Sequence, residues 1–329
     1  MGFLEALRPF WHPVIRSEDV KDRPVGVRLL DQPVVLFRSG EEIVALEDYC
    51  VHRGAALSLG RLQGENLECP YHGFQYGASG RCVRIPSMAP EQPIPEKARV
   101  RKFHAVERYD VVWLALEEPE YDVMEFPEFG DSAFHTFVID CGVWDANATR
   151  VIENNYDYTH VPFIHAGRLG VRAETEYPPI PPGERIGNTI MQIMEGEEPN
   201  WSYVHQPGGA PRIPTRYYNK LVLPLCTHTR THTIANDKES DDAYVFVMAV
   251  SPIAEKQSQV WLWVSRNYGW DIPDLEYERW EVDTLAQDRQ LVESQRPAVV
   301  PTDPREELFV PNELHHVEYR RWLRSVGVK

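Results

Sequence analysis

The feature that most constrains this chain is a pair of short cysteine–histidine motifs. Residues 50–54 read Cys-Val-His-Arg-Gly and residues 69–73 read Cys-Pro-Tyr-His-Gly, so C-x-H is followed sixteen residues later by C-x-x-H. Two thiolates and two imidazoles can bind tetrahedral zinc, or a two-iron cluster in which one iron takes both histidines. Zinc modules usually pair two cysteines in one knuckle, whereas each knuckle here offers one Cys and one His. The pattern therefore favours the cluster, with a zinc knuckle as the alternative.

Length and composition narrow the class of protein. The 329 residues exceed one ordinary core and predict two domains. A formal charge of −16 repels phosphate backbones, so we expect no nucleic-acid partner. No apolar run approaches the roughly 18 residues of a membrane span, and no signal core follows the first Met, so we expect a cytoplasmic protein. Five scattered cysteines do not form a disulfide framework.

The two parts of the sequence differ in their pattern of apolar runs and turn residues. Residues 1–118 hold short apolar runs separated by Gly and Pro turns, which is typical of a small antiparallel β domain. Residues 119–329 begin with an acidic, proline-bearing linker and then combine long strands with a helix predicted over 275–295. This indicates an α+β protein with these two domains. No GxGxxG or P-loop is present, so NADH or flavin has no evident place to bind.

A second metal-binding pattern lies in ENNYDYTHVPFIH. Asn154, Asp157 and His160 recur every three residues, which places them on one side of a helix. Pro162 is expected to end that helix near His160, because the residue before a proline disfavours α geometry. The chain can then turn so that His165 approaches His160. Two histidines and one carboxylate, with positions left open, form the facial triad of non-haem Fe(II) oxygenases.

The carboxylate for such a triad is found on the predicted helix 275–295. Val282, Leu285 and Val292 form an apolar stripe at helical spacing, and Asp288 falls on that stripe. An aspartate at a core position needs a partner or a metal. Asp283 points elsewhere on the helix and is expected to be a solvated charge.

Several other histidines and aromatic residues are candidates for a site. His228 and His232 share a strand face with Arg230 between them, and a cation there argues against a metal, so we expect pocket lining or plain surface. The pair His315–His316 lies in a charged segment and is expected to be solvent-exposed. Cavity lining and core packing explain the remaining aromatic candidates equally well. These are Trp201, Tyr203, Tyr217 and Tyr218.

Taken together, the motifs resemble those of the Rieske non-haem iron oxygenases, in the catalytic (α) subunit. CVHRG and CPYHG resemble the family's cluster loops, although Phe74 stands where Trp is usual. N-x-x-D-x-x-H-x4-H resembles its iron motif, and QDRQLVESQ its late helix with the third ligand. The length resembles the homotrimeric monooxygenases, of the dicamba monooxygenase and saxitoxin-pathway hydroxylase type. The resemblance implies a Rieske 2Fe–2S cluster on Cys50, His52, Cys69 and His72, and a mononuclear Fe(II) on His160, His165 and Asp288.

The same resemblance implies a fold, a reaction and partners. The second domain is expected to be a helix-grip (START/Bet v1-like) fold with a curved antiparallel sheet. The reaction is hydroxylation or oxidative demethylation of a small organic substrate with O2. Electrons come from a ferredoxin or a flavin reductase, so NAD(P)H acts only indirectly. Asn154 and Asp157 are assigned catalytic roles, with Asp157 bridging His160 to His72 of a neighbouring subunit. Alternatives are a ring-dihydroxylating dioxygenase, a Rieske electron carrier with a ligand-binding domain, and a zinc-stabilised binding protein.

Overall fold

The chain divides into two units in the computed structural model, which describes residues 2–170, 180–199 and 212–328. One unit is Leu7–Val123, and the other joins Met124–Lys329 to Met1–Ala6. Every strand pair within the two units is antiparallel among the described residues. The α+β prediction is therefore confirmed.

Short strands separated by tight turns build the unit Leu7–Val123. A six-stranded sheet has the order β1-β10-β9-β4-β3-β2, and a four-stranded sheet has the order β5-β6-β7-β8. The strands are β1 His12–Arg16, β2 Val25–Leu29, β3 Gln32–Ser39, β4 Glu42–Glu47, β5 Arg61–Gln63, β6 Asn66–Glu68, β7 Gln75–Tyr76, β8 Cys82–Arg84, β9 Lys102–Arg108 and β10 Val111–Ala115. A short helix, α1 Phe3–Ala6, precedes them in the chain.

The core of this unit lies beneath the two Cys-His motifs. Phe37 and Leu46 from the β3–β4 hairpin pack in one cluster with Leu67 and Tyr76 from the smaller sheet. Cys82 belongs to the same buried cluster and packs as a small core residue. The smaller sheet is thereby fixed on the larger one by apolar contact, and both motif loops rest on this core.

A seven-stranded sheet dominates the second unit, with the order β11-β17-β16-β15-β14-β13-β12. Its strands are β11 His135–Trp144, β12 Glu184–Ile186, β13 Thr189–Pro199, β14 Arg212–Val222, β15 Cys226–Ala235, β16 Lys238–Ala254 and β17 Gln257–Arg266. The helices are α2 Ala148–Asn155, α3 Val161–Ile164, α4 Asp274–Ser294 and α5 Leu314–Ser325. Within the described residues, short 3-10 turns also form at Ser17–Asp19, Leu57–Leu59, Pro304–Glu306 and Pro311–Glu313.

The long helix α4 packs on one face of this sheet. Tyr244 of β16 donates a hydrogen bond to Glu281 of α4 (2.6 Å), and both side chains are buried. Pro273 directly precedes the first residue of the helix. Pro297 follows three residues after its last residue, where a proline cannot donate the backbone hydrogen bond that would continue the helix. We call the side of the sheet that carries Tyr244 and faces α4 the inner face. The helix predicted over 275–295 is confirmed.

The helix expected to end near His160 ends earlier. α2 stops at Asn155, and Asp157 Oδ1 accepts hydrogen bonds from the backbone N and the hydroxyl of Thr159 (both 2.8 Å). This Asx turn offers the backbone an alternative to the helix. Pro162 then lies in the first turn of α3, where a missing N–H costs nothing, so it helps to start a helix instead of ending one.

Two expectations about exposure are wrong. His315 and His316 are buried, at 2% and 6% exposure, because α5 packs inward. His315 Nε2 donates a hydrogen bond to the carbonyl oxygen of Tyr156 (3.0 Å), since a carbonyl only accepts. On α4, Val282 is exposed while Leu285, Asp288 and Val292 are buried, so the buried stripe omits its first expected member. None of the helices in the described parts of the chain is long and apolar enough to cross a membrane.

Candidate metal centres and substrate cavity

The two Cys-His motifs form a matched pair of loops. In each loop the cysteine carbonyl accepts a hydrogen bond from a glycine four residues later, Gly54 (2.8 Å) and Gly73 (3.1 Å). Both glycines have positive φ, near 70°, which side-chain-bearing residues rarely adopt. Each cysteine N–H also donates to the carbonyl five residues later, so both loops close in the same way. The two Cys-His motifs therefore form two tight turns that face each other.

The ligand types are segregated by depth in these loops. Cys50 and Cys69 are buried free thiols, whereas His52 and His72 are exposed, with ring centroids 4.5 Å apart. Phe74 stacks on the ring of His52 at 4.7 Å, so an aromatic residue other than Trp still supports that ligand. Two buried sulfurs and two surface imidazoles fit a cluster whose outer iron carries both histidines.

Tyr76 lies directly under the first loop. Its hydroxyl oxygen is 3.1 Å from Cys50 Sγ, and burial raises the pKa of this phenol above its usual value. The phenol therefore stays protonated and donates to a thiolate, which can only accept. Donors to sulfur are one means by which a protein tunes the potential of an iron–sulfur cluster.

A second group of ligand types meets in the other unit. His160 Nε2 lies 3.3 Å from His165 Nε2 and 3.5 Å from Asp288 Oδ1, and the latter two atoms are 3.2 Å apart. Adjacent ligands of a six-coordinate ion with bonds of about 2.1 Å are separated by about 3 Å. The nearly equilateral triangle therefore suits one face of such an ion, and leaves its other face to smaller molecules.

Charge supports the same interpretation. Asp288 is 5% exposed, and within the described residues its ion-pair partners are the two histidines alone. A buried carboxylate is costly unless a cation or a metal compensates it. Without a metal, Asp288 raises the pKa of His165 against the opposing effect of burial. Two imidazoles and one carboxylate fit Fe(II).

Neighbouring side chains hold the three donors in place. His165 Nδ1 lies 2.8 Å from Gln287 Oε1, an acceptor, so Nδ1 carries the proton and Nε2 is free to bind a metal. Asn154 Nδ2 lies 3.4 Å from Asp288 Oδ1, a long contact. Gln287 was missed by the sequence analysis because a glutamine beside Asp288 on a helix carries no signal of its own.

Asp157 lies on the far side of His160. Its Oδ2 is 3.5 Å from His160 Nδ1, an ion-pair distance longer than a good hydrogen bond. Burial opposes ionisation of this carboxyl, but His160, His316 and the Thr159 amide outweigh it and hold its pKa below the usual range. Asp157 therefore faces His160 within its own chain as a charge partner, and a carboxylate in this position can orient a metal-bound imidazole.

A cavity of about 420 Å³ opens beside the triad, within the range of small-molecule sites. All three candidate ligands line it, together with Asn154 and Asp157. Its walls are largely apolar. The apolar lining residues include Leu169, Met194, Phe246, Met248, Leu262 and Leu285. Such a wall admits a small organic molecule and keeps water from the donor atoms.

The other histidine candidates lie away from this cavity. His228 is buried on the opposite face of β15, where its Nε2 lies 3.0 Å from Glu128 Oε2. Arg230 donates to the other oxygen of Glu128 (3.1 Å) and to His232 Nε2 (2.9 Å), which confirms the shared face. The prediction that His228 and His232 line a pocket or lie on the surface is therefore wrong. Both are buried, because a segment around Glu128 covers this side of the sheet. Buried Glu128 could not be located from sequence.

The aromatic candidates separate into three cases. Tyr217 lines the cavity from β14. Tyr218, one residue later, points to the other face and donates to Glu239 (2.6 Å). Trp201 and Tyr203 lie outside the described residues.

Known proteins match along nearly the whole chain. Residues 10–109 match the Rieske [2Fe-2S] domain family, and residues 144–328 match the vanillate O-demethylase oxygenase C-terminal domain family. The methylxanthine N1-demethylase NdmA of Pseudomonas putida is 31% identical over 98% of this chain and 90% of its own length. The oxygenase component of dicamba O-demethylase from Stenotrophomonas maltophilia is 26% identical over 87% of this chain and 86% of its own.

Structural comparison agrees. The solved structure of Pseudomonas putida NdmA with caffeine superposes with a TM-score of 0.84 at 28% identity, covering 98% of this chain and 91% of that one. The chain belongs to the Rieske non-haem iron oxygenases, a class of oxidoreductases that act on small molecules with O2 and electrons from a reductase or ferredoxin. Its catalytic domain is of the vanillate O-demethylase type, which includes O- and N-demethylases. The predicted family and its cofactor class are thus confirmed.

Proposed function

We propose that this chain is the oxygenase component of an oxidative demethylase for small, methylated aromatic or heteroaromatic compounds. The observation that carries the proposal is the triad of His160, His165 and Asp288 opening onto a largely apolar cavity. The demethylase relatives supply the reaction type. We also propose domains 1–118 for electron transfer and 119–329 for catalysis, with Cys50, His52, Cys69 and His72 holding the cluster.

The reaction balances with one O2 per methyl group. An iron held by His160, His165 and Asp288 would supply the activation of O2, and a cluster on the two Cys-His loops would supply the electrons. A methyl ether R–O–CH3 with O2, two electrons and two protons gives R–O–CH2OH and water. The hydroxymethyl group then collapses to R–OH and formaldehyde, and an N-methyl group follows the same course. The cavity holds the methyl group beside the triad, and Gln287 and Asp157 keep the two imidazoles oriented.

A single-turnover experiment tests this function without the natural electron donor. The protein is reduced with dithionite under argon, freed of reductant, and mixed with O2 and one of a panel of caffeine, vanillate, dicamba and toluene-4-sulfonate. We expect formaldehyde in a near-stoichiometric amount with at least one methylated member of related shape. A dihydroxylated ring product without formaldehyde would instead indicate a dioxygenase.

We expect purified protein to contain about three irons and two acid-labile sulfides per chain, from one cluster and one mononuclear ion. Metal analysis by mass spectrometry and a sulfide assay measure both numbers. Stoichiometric zinc without sulfide would contradict the cluster assignment. Two irons with two sulfides in a fully loaded protein would show that no mononuclear iron binds, and would support the alternative of a Rieske electron carrier.

Gly170 is expected to be essential for the mononuclear site. A Cβ at this position would lie 2.5 Å from the carbonyl oxygen of Val161 and 2.7 Å from Pro162 Cα, so α3 would have to move. Because His160 and His165 flank α3, Gly170→Ala should weaken iron binding by roughly 10-fold or more while the cluster absorbance persists. The measurement is iron and sulfide per chain.

Gly77→Ala is the matched control for this substitution. Its Cβ would meet Asn66 Oδ1 and Val83 Cγ1 at 3.5 Å, an ordinary contact distance. This variant should retain both metals. Full iron loading in Gly170→Ala would show that α3 tolerates the displacement, and would refute the packing argument.

We further propose that electrons cross between subunits of a homotrimer, from the cluster at His72 of one chain to Asp157 and His160 of the next. A cyclic head-to-tail interface can bring the two kinds of unit together. A carboxylate that accepts N–H groups from two metal-bound imidazoles would connect the centres. The source of electrons would be a ferredoxin or an NAD(P)H-dependent flavin reductase.

Mixed oligomers test the crossing. Subunits carrying His72→Ala are unfolded and refolded, or co-expressed, with subunits carrying Asp288→Ala, and the separate parents serve as controls. We expect activity to reappear in the mixture, because one interface then joins an intact cluster to an intact iron. Inactive mixed oligomers, with each parent retaining its unmutated centre, would rule out the inter-subunit route.

A further inference from the structure

The inner face of the sheet carries a row of hydroxyl groups among its apolar side chains. Thr227, Thr229 and Thr231 alternate along β15, and all three are buried. Their nearest inner-face neighbours on β16 include Phe246 and Met248, which line the cavity. Because a buried hydroxyl needs a hydrogen-bond partner, the partner of each of these three groups is informative.

The three hydroxyls have different partners. Thr231 donates to the backbone carbonyl of Tyr244 (3.2 Å), a contact within the sheet. Thr227 donates to Asn155 Oδ1 (2.6 Å). Thr229 lines the cavity, and its hydroxyl has no hydrogen-bond partner among the described residues. One hydroxyl is thus structural, one orients a neighbouring amide, and one is open to the cavity.

The amide of Asn155 also faces the cavity. Because its oxygen accepts from Thr227, its Nδ2 group is directed elsewhere, and within the described chain nothing accepts from that nitrogen. Asn155 immediately follows Asn154 at the end of α2, beside the triad. An oriented N–H donor at this place can bind an acceptor atom of a molecule in the cavity.

We propose that Asn155, oriented by Thr227 and flanked by the open hydroxyl of Thr229, binds a neutral hydrogen-bond acceptor of the substrate. We call these three residues the polar wall. The inference rests on the proposed function for the identity of the cavity. It narrows the substrate to planar N- or O-methylated aromatics with a carbonyl or ring nitrogen close to the methyl group.

The charges around the cavity favour a neutral acceptor over a carboxylate. Four carboxylates line the cavity in addition to the candidate ligand, and although Arg216 pairs with one of them, Glu195, their net negative charge repels an anion. The other three are Asp157, Glu197 and Glu281. The one cation among the described lining residues, Arg212, already donates to the carbonyls of Leu169 (2.5 Å) and Glu197 (2.6 Å). A carbonyl or ring nitrogen accepts from Asn155 without bringing a charge into this environment.

Two probes of equal shape test the polar wall. 1-Methyl-2-quinolone carries a carbonyl next to its N-methyl group, and 1-methylnaphthalene has the same two rings and methyl group without an acceptor. Binding to the oxidised holoenzyme is measured by titration calorimetry under argon, so no turnover is required. We expect the quinolone to bind roughly 10-fold more tightly than the naphthalene.

Three variants assign the selectivity to the wall. Asn155→Leu should remove most of the preference for the quinolone and leave naphthalene binding within about two-fold. Thr227→Val should reduce the preference less, since it frees the amide without removing it. Thr231→Val is the matched control, with the same substitution on the same strand face, and should leave the preference intact because its hydroxyl serves the backbone.

The outcomes separate this inference from the proposed function. Equal affinity of wild-type protein for both probes, or an equal loss of both in Asn155→Leu, would overturn the polar wall even if formaldehyde is formed. Selective quinolone binding that depends on Asn155 supports the wall, even if no turnover follows and the demethylase proposal fails. Conversion of the quinolone with formaldehyde release would support both.

Discussion

Asp288→Ala should abolish oxygenase turnover while leaving the iron–sulfur chromophore unchanged. The substitution removes the only carboxylate of the triad and leaves two imidazoles, which hold Fe(II) poorly. Iron should fall from about three to about two per chain at constant sulfide, and formaldehyde production should fall by at least about 1000-fold. The cluster lies in the other unit, so its visible spectrum should persist. Metal analysis, absorption spectroscopy and the single-turnover assay measure these three effects.

Asp283→Ala is the control for this experiment. Asp283 lies on the same helix, but its side chain is 70% exposed and its ion pair with Arg168 is long, at 3.8 Å. Exposed pairs of this kind contribute little to stability, so iron content and turnover should match the wild-type protein. Normal activity in Asp288→Ala, or its loss in Asp283→Ala, would refute the assignment of the third ligand.

Asp157→Asn should retain both metals and yet slow electron delivery to the mononuclear site by about 100-fold. The amide keeps the size of the side chain and an oxygen that accepts from Thr159, so the turn after α2 is preserved. It loses the negative charge that faces His160 Nδ1. Stopped-flow absorption of the pre-reduced protein, mixed with O2 and substrate, follows oxidation of the cluster directly.

A purely local role for Asp157 gives a different result. If the carboxylate only orients His160 in its own chain, Asp157→Asn should lower iron affinity, and enzyme reloaded with excess Fe(II) should oxidise its cluster at the normal rate. Asp145→Asn provides a matched control at an exposed carboxylate of the same unit. Its metal content and its cluster oxidation rate should both equal those of the wild-type protein.

The sequence by itself predicted a ligand set for each of the two centres. Cys50, His52, Cys69 and His72 are recognisable because metal ligands in one loop must be close in the chain, and the spacing that a tight turn allows is narrow. His160 and His165 can be recognised as candidate ligands for the same reason. Asp288 could be selected because helical periodicity places it on a buried face, where a lone carboxylate needs a compensating charge.

Only the tertiary structure decided what surrounds those ligands. Gln287 acquires its role through a contact with His165 across 122 positions of sequence, and no local pattern encodes such a contact. Gly170 is predicted to be required at its position because a Cβ there would lie less than 3 Å from the backbone of α3. His315 appeared solvent-exposed from its charged neighbours, but burial depends on what α5 packs against.

The helix boundary and the polar wall show the same limit. Pro162 predicted an ending, yet the Asx turn at Asp157 had already ended α2, since a side chain competed successfully with the next backbone hydrogen bond. Asn155 and Thr229 come from a helix and a strand whose side chains meet at the cavity only through tertiary packing. Candidate ligands could be predicted from short spacing within a loop or from helical periodicity, whereas the lining of the cavity is assembled by the fold from residues that are distant in sequence.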